Sequence, residues 1–267
     1  MNKKVEQALK SSVLIVAHPD DEILWFSSVF NKVDAIIICF GDYLPDSTLS
    51  KGREKVIAEY PLSTLSTLGI VESESFDQAD WSKPEVTSNG LRIVKSKKSA
   101  ERYENTFAIL HDQLENQLSS FDNVFVHNPW GEYGHEDHVQ VYRCVVDIAR
   151  SQGQNVWFSN YCSVASWNLA QNYLTTYEND GFTLPTQYDT VKPIVELYKK
   201  HACWTWYDDY EWFPSESYIR ANSIIDASQH GHIFSLNMMK TNVHRKRKPK
   251  GKIMRFRQKV ARFIEPD

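Results

Sequence analysis

Residues 13–17, Val-Leu-Ile-Val-Ala, form a short unbroken apolar run, and residues 35–40, Ala-Ile-Ile-Ile-Cys-Phe, form a second. Runs of this length without polar alternation predict strands buried on both faces, as in a parallel sheet. Residues 123–127 (NVFVH) and 156–161 (VWFSNY) predict two more strands, and residues 72–77 a weaker one. Between the strands the apolar positions change to helical spacing. Tyr103, Phe107, Leu110, Leu114 and Leu118 mark a helix over 100–118. Helices are also predicted over 21–31, over 51–68 with a kink or break at Pro61, and over 137–149. This alternation implies parallel strands joined by right-handed crossovers. The expected fold class is α/β: a Rossmann-like open, mostly parallel sheet with helices on both faces, plus a C-terminal extension. Its site is expected at the carboxyl ends of the strands.

After Cys162 the pattern loosens. A helix is predicted over 190–202, starting near Pro193, followed by an aromatic and acidic stretch, WTWYDDYEWF, over 204–213. Core packing is the default for such aromatics, and stacking on a ligand ring is the alternative. No repeat or long Gly/Ser linker divides the chain. The expected organisation is a principal domain over 1–185, a segment 186–239 packed on it, and a separate tail over 240–267.

Charge separates that tail from the body. Residues 240–267 hold eleven Lys or Arg against two acids, which leaves the other 239 residues at −13 within a net charge of −4. A solvated tail is the simplest reading. Ile253, Phe256, Val260, Phe263 and Ile264 would form one apolar stripe on a basic helix, which suits peripheral contact with a membrane surface. The charge permits nucleic-acid binding, but no recognition motif accompanies it. The N-terminal MNKKVEQALKSS has no apolar core of a secretory signal, and no apolar run reaches the 18 residues of a membrane span. The scattered cysteines, with no CxxC pair, suit free thiols in a reducing compartment. A cytoplasmic location, peripheral to membrane if the tail binds one, is the expectation.

The chemistry concentrates at two strand ends. Ala17-His18-Pro19-Asp20-Asp21-Glu22 packs four ionisable side chains into five positions where a buried strand gives way to a helix. Such crowding is costly without a compensating cation. Zinc takes imidazole nitrogen and carboxylate oxygen, and His18 and Asp21 lie close enough along a tight turn to share one ion. Gly134-His135-Glu136-Asp137-His138 follows the strand 123–127 and reaches the same sheet edge. His135 and His138 sit three apart, on one face of a first helical turn. Taken alone, this second cluster reads equally as polar residues at a helix N-terminus. Two histidines and one aspartate leave a coordination position open, the arrangement of a catalytic metal.

AHPDDE followed some 110 residues later by GHEDH resembles the LmbE-like, or PIG-L, family of zinc-dependent N-acetylglucosaminyl deacetylases. The resemblance spans roughly residues 11–160. It implies zinc, or another divalent ion, held by His18, Asp21 and His138, and Asp20 as general base. It implies that His135 faces the developing oxyanion, that Asp137 orients His135, and that Tyr133 helps to polarise the carbonyl. Arg53 matches a substrate-contacting arginine, although a surface arginine paired with an acid reads equally well from the residues. The implied function is hydrolysis of the N-acetyl group of an N-acetyl-hexosamine, free or in a glycoconjugate, in glycan or glycoconjugate synthesis. Two departures stand out. Ile23-Leu24-Trp25-Phe26-Ser27-Ser28 replaces a glycine-rich run, and Glu136 stands where the family often has proline. The bulky run opens the alternative of a zinc amidase for a different N-acyl group. A non-catalytic sugar-binding protein on the same fold is a further alternative, disfavoured by retention of the ligands, base and oxyanion histidine. Oligomeric state has no signature in the sequence.

Overall fold

The computed structural model describes residues 2–44, 47–174, 180–221 and 235–239. The basic stretch 240–267, along with His230, His232 and His244, lies outside the described residues. In chain order the first elements are α1 (Lys3–Leu9), β1 (Ser12–Val16), α2 (Asp21–Leu24), β2 (Ala35–Ile38), α3 (Thr48–Glu59) and β3 (Leu65–Thr67). A small hairpin, β4 (Val86–Thr87) and β5 (Gly90–Leu91), precedes α4 (Lys97–Leu118), β6 (Asn123–Val126), α5 (Glu136–Gln152), β7 (Asn155–Ser159) and β8 (Tyr161–Ser163). The chain continues through α6 (Trp167–Ala170), β9 (Gly181–Pro185), α7 (Tyr188–Lys200), β10 (Ser215–Arg220) and β11 (Asn237–Met239).

Among the described residues, seven strands form one sheet in the order β3-β2-β1-β6-β7-β10-β9. The first five run parallel; β10 and β9 close one edge antiparallel. The strands are apolar throughout because both faces are covered. Val13 and Ile15 of β1 point into a core shared with Leu110 and Leu114 of α4 and Val141, Val145 and Ile148 of α5. Leu14 and Val16 point the opposite way, into a core with Val5 of α1, Val56 of α3 and Ile194 and Tyr198 of α7. The open, mostly parallel sheet with helices on both faces is thus the fold that the alternation predicts. From β1 the chain steps outward to β2 and β3, then crosses back to β6 on the other side of β1. β1 and β6 therefore flank a topological switch point, where a crevice opens at the carboxyl ends of the strands.

Three elements differ from expectation. The helix predicted over 21–31 stops at Leu24, because the Ser27 and Ser28 N–H groups donate to the buried Glu216 carboxylate on β10, at 3.2 and 2.8 Å, instead of extending the helix. The helix over 51–68 ends at Glu59, since Tyr60, before Pro61, is extended (ψ 132°). The edge strand then lies at 65–67, not 72–77. Residues 72–77 form no strand because Glu74 and Asp77 take left-handed conformations, φ 59° and 56°. Residues 204–213 form no regular element, and Trp204, Trp206, Tyr210, Trp212 and Phe213 pack partly buried against the core. Among the described residues no helix is long and apolar enough to cross a membrane.

Candidate metal centre

The turn after β1 is built around Asp20, which is left-handed at φ 96°. A non-glycine residue there costs on the order of 1–3 kcal/mol and persists only where neighbours fix it. The Asp20 N–H donates to Glu22 Oε2 (3.0 Å) and to the Tyr198 hydroxyl (2.9 Å). Tyr198 and Tyr60 in turn donate to Glu22 Oε1, both at 2.9 Å. The strained turn is thereby locked, and Asp21 opens α2 with its carboxylate folded back. Asp21 Oδ2 accepts from the His18 N–H at 2.7 Å, and Asp21 Oδ1 accepts from the Trp25 indole at 2.8 Å. The first bulky replacement after the motif therefore anchors a candidate ligand.

The loop after β6 delivers the second group. Gly131 is left-handed (φ 69°), and a Cβ there would lie 2.6 Å from the His135 carbonyl oxygen, so the turn requires glycine. Glu132, also left-handed at φ 47°, is fully buried. Its Oε1 accepts from the Asn128 N–H (2.9 Å) and the Ser159 hydroxyl (3.1 Å). Its Oε2 lies 2.7 Å from His138 Nδ1 and 3.1 Å from His127 Nδ1. A neutral imidazole that donates from Nδ1 to Glu132 leaves Nε2 as its acceptor. The Ala17 N–H fills the His127 acceptor at 2.8 Å. His138 Nε2 is buried and has no hydrogen-bond partner among the described residues.

That orphan nitrogen faces the first group. Asp21 Oδ2 is 3.3 Å from His138 Nε2 and 3.2 Å from His18 Nδ1. Donors around one tetrahedral ion at about 2.0–2.1 Å stand about 3.3 Å apart. The far nitrogen of His18, Nε2, is 3.1 Å from Asp137 Oδ2. Each histidine therefore presents one nitrogen to the shared space while a carboxylate holds the other, the pairing that orients histidine ligands on metals. The residues present fit a divalent cation. His18, His135 and Asp137 form an overlapping group, with donor atoms within 4.8 Å of one another. His127 and Glu132 also group with His138, but their acceptors are already used.

Asp137 meets His135 through its backbone as well as lying near it through its carboxylate: the Asp137 N–H donates to His135 Nδ1 at 3.1 Å, which places the His135 proton on Nε2, and the two side chains share a cluster with His18. The Asp137 carboxylate accepts from Ser73 (3.1 Å) and Ser75 (2.6 Å) besides facing His18. Arg53, read from sequence as a substrate contact or a surface residue, is buried. It donates to Glu72 Oε1 at 2.7 Å, and that oxygen is 3.9 Å from His18 Nε2.

Charge is arranged unevenly. Burial, together with the neighbouring Asp21 carboxylate, pushes Asp20 up to about 8, against the opposing effects of Thr205 and Arg53. Burial acts in the same direction on Asp21, but His138, His127 and His18 outweigh it and hold Asp21 well below the carboxylate range. Burial would lower His18; Glu72, Asp137 and Asp21 together raise it to about 10. In the metal-free cluster a proton on His18 thus stands where a cation would be bound, and metal uptake must release protons. The wall above is aromatic. Trp25 packs edge-on against Trp206 (5.0 Å between centroids) and tilted against Tyr133 (5.5 Å), and Tyr133 packs against His138 (5.3 Å).

The structure brings His18, Asp20, Asp21, Tyr133, His135, Asp137 and His138 together, with Arg53 one residue away through Glu72. Sequence reasoning missed Glu132, Glu72, Ser73, Ser75 and Thr205. Glu132 had a signal: an acid between two glycines in a strand-end loop, six residues before His138. Thr205, whose hydroxyl donates to Asp20 Oδ2 at 2.6 Å, had none, being 185 residues away.

No family model matches the chain, and no curated protein matches it. Several solved structures align with it. One described as the zinc inhibited form of teicoplanin deacetylase Orf2 has a TM-score of 0.49 at 8% identity, covering 79% of this chain and 99% of that one. A deacetylase–teicoplanin complex from the teicoplanin biosynthesis pathway gives 0.48 at 9%, with the same coverage. The A40926 pseudoaglycone deacetylase Dbv21 gives 0.45 at 10%, covering 79% and 97%.

Proposed function

We propose that this chain is a divalent-metal-dependent amidohydrolase, zinc being the expected ion, that removes the acetyl group from an N-acetyl-hexosamine or a glycoconjugate bearing one. The observation that carries the reading is His138 Nε2: buried, without a hydrogen-bond partner among the described residues, and directed with His18 Nδ1 toward Asp21 Oδ2. Burying an acceptor unsatisfied costs about 1–3 kcal/mol, and a cation removes that cost.

Bound there, a divalent ion supplies Lewis acidity toward an amide carbonyl and toward a water. The chain's own residues supply the rest. Asp20 is the candidate general base: burial and the Asp21 carboxylate hold its carboxyl up at about 8 in the metal-free cluster, and a cation bound beside it would favour the ionised form that takes a proton from water. Thr205 holds one of its oxygens, Oδ2, in place. His135, protonated on Nε2, donates to the oxyanion that develops as the carbonyl is attacked. Tyr133, beside His135 and His138, is the second candidate donor. Arg53 acts in this scheme as a countercharge to Asp20 and Asp21 and pairs with Glu72.

The packing of Trp25, Tyr133 and Trp206 beside His138 motivates a second reading, in which the acyl group is one other than acetyl. Acetate release from N-acetylated sugars (free, nucleotide-linked and lipid-linked), run beside analogues with longer acyl chains, separates the two. His138→Ala is expected to lose the bound ion by elemental analysis and to reduce hydrolysis to background, as should chelation of the wild type. Undiminished hydrolysis by ion-free protein sinks the metal reading.

A further inference from the structure

Glu136, the first residue of α5, is fully buried and points away from the cation-binding cluster. Its Oε1 accepts from the Gln78 N–H (2.9 Å), the Ala79 N–H (2.8 Å) and the Trp81 indole (3.0 Å). Its Oε2 accepts from the Asp77 N–H (3.0 Å). Three successive backbone amides and one indole thus converge on a single carboxylate. All belong to the loop over 72–81, which forms no strand and pairs with its neighbours through an isolated bridge from Ala79 to Ile93 and the Val94 and Lys95 N–H groups on the Gln78 carbonyl. Its two left-handed residues, Glu74 and Asp77, are strained. Apart from Glu136, ion pairs from Arg102 to Glu74 and from Lys95 to Asp77 secure them at the surface.

The near end of this loop reaches the cluster. Ser73 and Ser75 donate to the Asp137 carboxylate, which holds His18 Nε2. Glu72 pairs with Arg53, and Phe76 packs against the His135 ring at 4.8 Å. Loop and helix therefore meet twice, once through Glu136 and once through Asp137.

We propose that Glu136 is a positioning residue, whose carboxylate clamps the 72–81 loop so that Ser73 and Ser75 keep Asp137, and through it His18, in the cation-binding arrangement. The inference rests on the metal reading above. Partners that orient a metal ligand are worth roughly 10–100-fold in affinity, and the clamp acts one step further out, so a loss of about 10-fold is expected.

Glu136→Pro isolates the carboxylate. Proline suits the first helical position, and His135 before it is extended (φ −112°, ψ 126°), as proline requires. Glu136→Gln keeps one oxygen for the three donors on Oε1. Zn2+ titration against a chromophoric chelator and backbone amide exchange are measured on the full chain and both variants. Glu136→Pro is expected to keep a cooperative melt, lose exchange protection over 72–81, and bind Zn2+ about 10-fold more weakly. Glu136→Gln should stay within about threefold of wild type. If Glu136→Pro does not fold, Ser73→Ala with Ser75→Ala tests the same link and should weaken Zn2+ similarly. Unchanged Zn2+ affinity in the folded variant, or unchanged exchange over 72–81, overturns the clamp alone. A wild type that binds no Zn2+ sinks the clamp and the metal reading together.

Discussion

Asp20→Asn is expected to lower kcat by at least about 100-fold while making the metal-free protein more stable at neutral and alkaline pH. The first effect follows from loss of the proposed base. The second follows from burial: the Asp20 carboxylate lies beside Asp21, and its folded value of about 8 stands far above the ordinary 3.8. Ionising it therefore weakens the fold. That penalty is absent below about pH 4, grows through the interval between the two values, and is complete above about 8. Asparagine is nearly isosteric, tolerates the left-handed backbone, and still accepts from Thr205. Thermal melts in the presence of chelator should show a gain on the order of 5 °C near pH 8, shrinking toward zero in acid. A variant that melts lower than wild type at pH 8 would contradict the electrostatic account, and one with undiminished kcat would remove Asp20 as the base.

Glu132→Gln should have the opposite stability profile. Two buried imidazoles share this one carboxylate. Burial alone would raise its pKa, but His127 and His138 outweigh that and bring it down to about 2, against an ordinary 4.5. The interaction is fully present above about pH 4.5 and is lost as pH falls through about 2. An amide has one accepting oxygen where the carboxylate has two: if that oxygen serves the two rings, the amide NH2 confronts the Asn128 N–H, and if it serves Asn128, the rings lose their acceptor, so a buried donor is left without its partner either way. Breaking a buried pair of this kind costs about 3–5 kcal/mol, and the metal-free melting temperature should fall on the order of 10 °C near neutrality. The deficit should narrow in acid. Zn2+ affinity should fall about 10–100-fold because the His138 ring loses its orienting partner. Unaltered affinity in a folded Glu132→Gln protein would show that His138 does not depend on this carboxylate to face the ion.

These two residues mark how far the sequence can be read. Asp20 was legible because it lies within a dense local motif at a strand end, and strand ends of a parallel sheet can be located from unbroken apolar runs such as 13–17. The meeting of His18 and His138 was legible for the same reason, since β1 and β6 are adjacent and parallel. Glu132 carries no periodicity, and its role comes from a tight turn that aims it under two rings. Glu72, Ser73 and Ser75 were hidden by a strand expectation that failed where Glu74 and Asp77 turn left-handed. The shortening of the helix at Leu24 depends on Glu216, nearly 190 residues downstream, whose carboxylate draws the Ser27 and Ser28 amides away. Local propensity has no access to such a partner.

The lock on the strained turn after β1 comes largely from late in the chain: Tyr198 on the Asp20 amide and Glu22, Thr205 on the Asp20 carboxylate. At about 5–20 residues per second of synthesis, these partners leave the ribosome roughly 10–40 s after the motif itself. Through that interval Asp20 lacks Tyr198 on its amide and Thr205 on its carboxylate, and the turn is held only by earlier partners such as Tyr60 on Glu22. Acquisition of metal-binding competence should accordingly be a late event in folding, following docking of α7 and not the formation of the parallel sheet.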